Sequence, residues 1–398
     1  MRLTFLTVFV VLVGLASHAA LARWSIRMFP AFARHTRRTF LVALVPPLAM
    51  PVLRVFVRHW GRPGAVLLKL VQFEGVLVLF VVLLLLLVEG TFLLFRSSGD
   101  TDAEPADPPR ADESPRSPTS PESVSRRVVL ERGVGLASAG AVGGLLGWGY
   151  ARGRLAFQVD EVVVRIPGLS KGLDGYVIAQ VSDVHVGAFV REHELDRGLD
   201  LVRRMKPDAV VATGDLVDSD PRDASLVARA LADLPSRDGV FAIPGNHDHY
   251  AGAGDVEAAL RAAGVTVLTN VHRVLRAGDG GFVLAGVDDP VGTRIGRGPD
   301  LGAALRGAPR DLPTILLAHR PDAFAEMAGK VALQLSGHTH GGQIYPGWSP
   351  LELASPWVRG RYTSRGSTLY VNRGFGTTGP PSRLGSPPEI TKIVLVAA

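Results

Sequence analysis

Residues 176–185 read YVIAQVSDVH, a run of Val, Ile and Ala that stops at an acid and a histidine two positions apart. Rich in Val and Ile and bounded by turn residues, the run reads as a strand. The same grammar recurs at AVVATGDLVD (209–218), VFAIPGNHD (240–248), TILLAH (314–319) and ALQLSGHTH (332–340). Each time an apolar run of β type ends in a polar cluster, so the clusters fall where strand ends pass into loops. Between the first two, residues 192–205 place Leu195, Leu199 and Val202 at helical spacing, and residues 256–263 read as another helix. Further strands are expected at 157–166, 265–268, 282–286, 368–371 and 391–396. So many strands alternating with helices give an α/β class and need more than one sheet or a large mixed one. No internal repeat is present.

The polar clusters are Asp183-Val184-His185, Gly214-Asp215-Leu216-Val217-Asp218, Gly245-Asn246-His247-Asp248, His319, and Gly337-His338-Thr339-His340. Any one alone reads more readily as a capped turn or a satisfied histidine than as a ligand. Together they concentrate carboxylates and imidazoles at the ends of successive strands. The chain has no cysteine, so a metal must be held by His, Asp, Glu or Asn. Oxygen donors mixed with imidazole suit divalent Mn, Fe or Zn, and one carboxylate can bridge two such ions. Gly214, Gly245 and Gly337 beside the clusters are expected to let the backbone turn sharply there.

In this order, D-x-H, GDxxD, GNHD, H and GHxH, the clusters resemble the calcineurin-like metallophosphoesterases, over residues 157–398. The stretches Gly286-Val287-Asp288-Asp289, GHTHGGQ (337–343), Gly360-Arg361-Tyr362 and RGFGTTGPPSRLGSPPEI (373–390) are similar to the bacterial membrane-linked branch. That branch includes phosphodiesterases and UDP-2,3-diacylglucosamine pyrophosphatases. The resemblance implies a four-layer α/β/β/α sandwich and phosphoester hydrolysis at two divalent metal ions. It implies that Asp183, His185 and His340 bind one ion and Asn246, His319 and His338 the other, with Asp215 between them. His247 would protonate the leaving group, oriented by Asp248 or Asp218. No ligand of the pattern is missing. His249 either lines the pocket or extends the turn, and His193 and His272 read as ordinary surface positions. Arg373 and Arg383 either contact a phosphate or belong to a solvated connection.

The N-terminal part is of another kind. Mean hydropathy is +0.22, and 47% of residues are hydrophobic against 20% charged. Residues 3–22 are uncharged and long enough to cross a bilayer, and this length favours a retained span over a signal peptide. Residues 40–57, interrupted by Pro46, Pro47 and Pro51, are a weaker candidate, whereas 75–95, centred on LVLFVVLLLLLV, is the strongest. These segments make residues 1–96 a transmembrane region. Residues 97–124 turn abruptly to Pro, Ser and acids and read as a disordered linker. Residues 125–151 follow, with Arg126 and Arg127 ahead of a fourth apolar stretch. The pair reads equally as a twin-arginine export signal or as the cytoplasmic flank of a helix. Gly140 and Gly144 within it give a small-xxx-small spacing.

Ten Arg or Lys and no acid fall in residues 1–70, so of the net charge of +6 the rest of the chain carries −4. The basic pI of 9.9 thus belongs to membrane-flanking loops, and no nucleic-acid partner is expected. The loop 23–38 and the Arg126-Arg127 pair favour a multi-pass protein of the cytoplasmic membrane with the phosphoesterase-like domain outside. Arg58, Arg62 and Lys69 then sit on the outer side, against the charge rule. A phosphoester at the bilayer or cell envelope, lipid-linked in one form, is the expected substrate. The rival is a membrane receptor or scaffold that binds phosphorylated ligands without turnover. His247 discriminates the two, since binding has no need of a proton donor.

Overall fold

In a computed structural model of the chain, residues 2–97, 126–277 and 280–398 are described, so all but the first residue of the 97–124 stretch read as a linker lies outside the described residues. They form two compact units, Met1–Arg54 with Val71–Leu145, and Val55–Leu70 with Leu146–Ala398.

The first unit is helical: α1 (Arg2–Met28), α2 (Pro30–Ala33), α3 (Thr36–Ala43), and most of α4 (Val45–Ser97) and α5 (Arg126–Ala151). Four stretches are long and apolar enough to cross a membrane: Val8–Met28, Thr36–Val55, Pro63–Thr91 and Val128–Leu155. Pro46 and Pro47 fall in the first turn of α4, where a missing N–H costs nothing, so the chain breaks between α3 and α4 there. Gly61, at φ 56°, interrupts α4 a second time. His18 is 3% exposed and pairs with Glu74 at 3.0 Å, an ionisable contact between the first and third apolar stretches that satisfies both groups. A Cβ at Gly140 or Gly144 would meet nothing within 4 Å, whereas one at Gly135 would overlap Trp24. Within this unit the close approach of the helix is therefore at Gly135, not at the small-xxx-small pair.

The second unit is built on twelve strands: β1 (Gln158–Ile166), β2 (Tyr176–Val181), β3 (Ala209–Thr213), β4 (Val240–Ile243), β5 (Thr266–Val267), β6 (Val271–Ala277), β7 (Gly280–Gly286), β8 (Thr314–Leu317), β9 (Leu333–Ser336), β10 (Gly360–Ser364), β11 (Ser367–Val371) and β12 (Glu389–Ala397). They form two six-stranded sheets of order β1-β12-β2-β3-β4-β5 and β10-β11-β9-β8-β7-β6. The strands β2 to β5 pair in parallel, as do β7, β8, β9 and β11.

Alternation along the strands explains the layering. Ile178, Val211, Phe241 and Ile243 of the first sheet meet Phe282, Leu284, Ile315, Leu317, Leu333 and Leu335 of the second in one core. The intervening Ala179, Val181, Val210, Ala212 and Ala242 face the opposite way, onto α6 (Glu192–Met205), α7 (Ala224–Ala232) and, beyond α8 (Asn246–Ala251), α9 (Ala253–Ala262). On the far side Val283, Ala285 and Leu316 pack against the short α10 (Leu301–Ala304) and α11 (Phe324–Met327). The result is helix, sheet, sheet, helix, the four-layer arrangement expected. Strands buried on both faces read as unbroken apolar runs, which is why they were visible in the sequence. The two strands not expected from the sequence, β6 and β10, are the two edges of the second sheet. Edge strands carry charge on their open side, and Arg273, Arg276 and Arg361 there hide the strand signal.

Candidate active site

Each polar cluster emerges from the C-terminal end of a parallel strand. Asp183 and His185 follow β2, Asp215 follows β3, Asn246 and His247 open α8 after β4, His319 follows β8, and His338 and His340 follow β9. Ligand sites of open α/β sheets lie at that edge because successive strands deliver their loops to one place. All the predicted ligands converge there, and Asp183, His185, Asp215, Asn246, His319 and His340 are buried.

The side chains arrange as three linked groups able to hold a metal ion: Asp183, His185 and His340; His185, Asp215 and His247; and Asp215, His319 and His338. His185 and Asp215 each belong to two of them. His185 Nε2 and His340 Nε2 face each other at 3.1 Å, and His338 Nδ1 faces His319 Nε2 at 3.2 Å. Each pair can share one proton as an N–H···N hydrogen bond, and with that proton gone the two facing lone pairs form a chelating edge for a cation. Asp215 lies amid both pairs, with Oδ2 at 3.3 Å from His319 Nε2 and 3.7 Å from His185 Nε2. The donor set fits divalent metals.

Backbone geometry supports this reading. Asp183 (φ 52°), His185 (51°), Asp215 (54°), His338 (73°) and His340 (51°) all occupy the left-handed region that side chains with a Cβ avoid. Such conformations gather where function holds them against their cost. The glycines act in two ways. Gly214, at φ 88°, does supply the expected turn. Gly245 and Gly337 do not adopt positive φ; they are there for space, because a Cβ would overlap Asp215 at the first and Ser182 and Asp183 at the second.

Charge in the site is finely divided. Burial pushes the Asp183 carboxyl up to about 6, against the pull of His319. Burial acts the same way on Asp215, but the charges of His319 and His247 outweigh it and hold that carboxyl well below the usual range. Burial works against a charged His319, yet Asp215 overrides it and raises the imidazole to about 10. Burial and neighbouring positive groups keep His185, His338 and His340 well below 6.5, in the neutral form that ligates metal.

The two acids named as partners of His247 separate clearly. Asp248 turns away from the ring and accepts the N–H groups of Gly245, Leu216 and Val217 at 2.8–3.1 Å, and burial beside Asp215 pushes it up to about 7. It braces the two loops. His247 Nδ1 lies 2.7 Å from the backbone carbonyl of Asp218 and 3.9 Å from its carboxylate, so Asp218 orients the ring mainly through its main chain. His247 Nε2 is directed toward Thr378 Oγ1 at 3.4 Å.

Several other residues fall into place. His249 is buried against Asp288 at 2.6 Å, and so braces the turn instead of lining a pocket. Arg383 is 1% exposed and donates to the carbonyls of Arg373, Gly374, Gly376 and Ser386, and Arg373 pairs with Asp160 and Glu389. Arg383 therefore holds the 373–386 loop together from within and cannot reach a substrate. Sequence reasoning overlooked Arg320, whose Nε meets Asp289 at 2.9 Å and whose Nη2 reaches Asn246 Oδ1 at 3.4 Å. Its place directly after His319 was the available signal. Also overlooked was Gln343, which ties the GHTHGGQ turn to Thr378 and Pro380.

A family profile described as calcineurin-like phosphoesterase matches residues 176–342. An uncharacterized metallophosphoesterase of Bacillus subtilis is 34% identical over 285 residues, 69% of this chain and 98% of its own length. The chain belongs to the calcineurin-like metallophosphoesterase family. An uncharacterized metallophosphoesterase of Aquifex aeolicus is 35% identical over 60% of this chain and 91% of its own length. A zebrafish "transmembrane protein with metallophosphoesterase domain" is 35% identical over 61% of this chain, and the match spans 58% of that relative. The phosphoesterase is a hydrolase whose His and Asp groups suit divalent metals, and its four long apolar helical stretches, with relatives named as transmembrane proteins, support membrane association.

Proposed function

We propose that this phosphoesterase hydrolyses a phosphodiester, phosphomonoester or pyrophosphate at a centre of two divalent ions of the Mn, Fe or Zn type. The observation that carries the reading is the linkage of the ligand groups through His185 and Asp215, with His247 alongside and its Nε2 3.4 Å from Thr378 Oγ1. Asp183, His185 and His340 would hold one ion, Asn246, His319 and His338 the other, and Asp215 both. When bound, such a pair activates a water and neutralises the attacking and leaving oxygens of an in-line displacement. His247 does the remaining work: with Nδ1–H donated to the Asp218 carbonyl, its Nε2–H is delivered to the departing alkoxide. Arg320, one quarter exposed beside Asn246, faces the same region and supplies positive charge for a phosphoryl oxygen.

The substrate we favour is met at the bilayer or cell envelope, lipid-linked in one form. The apolar helices and the acidic balance outside residues 1–70 support that choice over a nucleic acid. The basic 23–38 loop and Arg126-Arg127 favour the cytoplasmic membrane with the catalytic unit outside.

Full-length protein stripped of metal and reloaded should cleave alkyl phosphodiesters only when loaded. His247→Ala should lower that turnover by roughly 10²–10⁴-fold while the bound metal stays unchanged. Wild-type protein that is folded and loaded yet inert on every phosphoester class would sink hydrolysis and leave the ligand-binding alternative. Protease accessibility of the second unit in intact against broken cells tests the orientation.

A further inference from the structure

Lys69 is one of the three charges, with Arg58 and Arg62, that run against the positive-inside pattern, and it lies in the third apolar stretch, Pro63–Thr91. It belongs to the same compact unit as the catalytic residues. Its side chain is 7% exposed, and its Nζ sits 3.0 Å from Asp218 Oδ1, itself 8% exposed. The same Nζ donates to the carbonyl of Thr377 at 3.3 Å. These two contacts bracket the His247 ring. Asp218 receives Nδ1 on one side, and Thr378, next to Thr377, lies against Nε2 on the other.

Resting on the hydrolytic reading above, we infer that Lys69 is a positioning residue for the proton donor: the apolar helix α4 sends one cation into the catalytic unit to hold apart, at fixed spacing, the two loops between which His247 is clamped. The carboxylate of Asp218 is otherwise drawn toward His185 Nδ1 and His247 Nδ1, at 3.7 and 3.9 Å, and a swing in either direction moves the carbonyl that orients the ring. Lys69 pins it. A buried ammonium needs such partners, and here it finds a carboxylate and a carbonyl rather than lipid or water. Connectivity permits the contact whatever the second apolar stretch does. The remainder of the third stretch and the whole of the fourth separate Lys69 from the catalytic residues, and two crossings return the chain to the side it left. Residues 55–70, which belong to the catalytic unit, thus supply part of the catalytic apparatus.

The test uses full-length protein in detergent micelles, loaded with metal, and two phosphodiesters that differ in leaving group. An alkyl leaving group needs a proton from His247 and an acidic aryl one does not. Lys69→Met should lower kcat on the alkyl ester by about 10–100-fold, with KM unchanged, and on the aryl ester by less than about threefold. Lys69→Arg should recover most of the alkyl activity. Equal loss on both esters, or alkyl kcat within about twofold of wild type, overturns the proposal. Should Lys69→Met fail to fold, the Lys69→Met/Asp218→Asn pair removes both charges. If that double variant folds and keeps wild-type leaving-group dependence, the proposal is equally refuted. Wild-type protein inactive on both esters would instead count against the hydrolytic reading, so the two failures are distinct.

Discussion

Replacing Gly214 by Ala should cost this protein both stability and metal affinity. Gly214 turns the chain at φ 88° between β3 and Asp215. A Cβ there would stand 2.8 Å from the backbone nitrogen of Gly245 and 2.8 Å from His319 Nδ1, closer than real Cβ atoms approach such neighbours. One obstacle is main chain and the other is an imidazole already bonded to the Thr213 carbonyl at 2.8 Å, so neither swings aside. The left-handed conformation costs an alanine roughly 1–2 kcal/mol. Overpacking a closed site adds roughly 1–3 kcal/mol. A total of about 2–5 kcal/mol, at about 2–4 °C per kcal/mol for a domain of this size, lowers Tm by roughly 5–20 °C. The displaced groups are His319 and the Gly245 main chain that carries Asn246, two proposed ligands of the same ion, so metal content should fall below that of wild type. Tryptophan-fluorescence melting of the full-length protein, with metal measured by emission spectroscopy, reads both. A Tm within about 2 °C of wild type with metal content undiminished would mean that the turn between β3 and the Gly245 loop is not as described.

Other perturbations bear on single links of the argument. Asp215→Asn removes the carboxylate common to two ligand groups and should cut turnover by more than about 100-fold with loss of bound metal, measured on the same preparation. His249→Gln keeps a donor toward Asp288 but removes the titration. Burial opposes the charge on His249, yet the Asp288 bond raises its pKa above 6.5, and burial of Asp288 is likewise outweighed by His249, which lowers it below 3.8. The ion pair therefore stabilises fully between about pH 4 and 6.5, fading as pH rises through the raised histidine value and as it falls through the lowered aspartate value. The stability difference from wild type should be about 1–3 kcal/mol in that window and shrink above pH 7, as followed by urea unfolding. A difference that grows with pH would contradict the pairing.

What could be read from the sequence was whatever had a local signature. Runs such as VIAQVSD and TILLAH announced strands, and the polar residues that ended them are the groups the structure brings together as able to hold a metal ion. The edge strands β6 and β10 escaped because exposure on one side mixes arginines into them. The choice between Asp218 and Asp248 turned on which one offered a main-chain carbonyl and which spent its carboxylate on amides, a matter of rotamers that spacing does not encode. Lys69 was farther still from view. It meets Thr377 across 308 residues of chain, and in the sequence it is one more basic residue at the edge of an apolar stretch. Arg383 misled for a related reason: a glycine-rich loop looks solvated until its own arginine is found folded inside it.

The left-handed ligands also set a condition on any attempt to evolve this enzyme. At Asp183, His185, Asp215, His338 and His340 a glycine would relax the backbone by about 1 kcal/mol each and remove the function at the same stroke. A library sorted only for heat resistance or expression will drift toward those replacements and return sturdy, empty sandwiches. Selection has to include metal retention from the first round, because at this edge of the sheets the fold and its chemistry pull the chain in opposite directions.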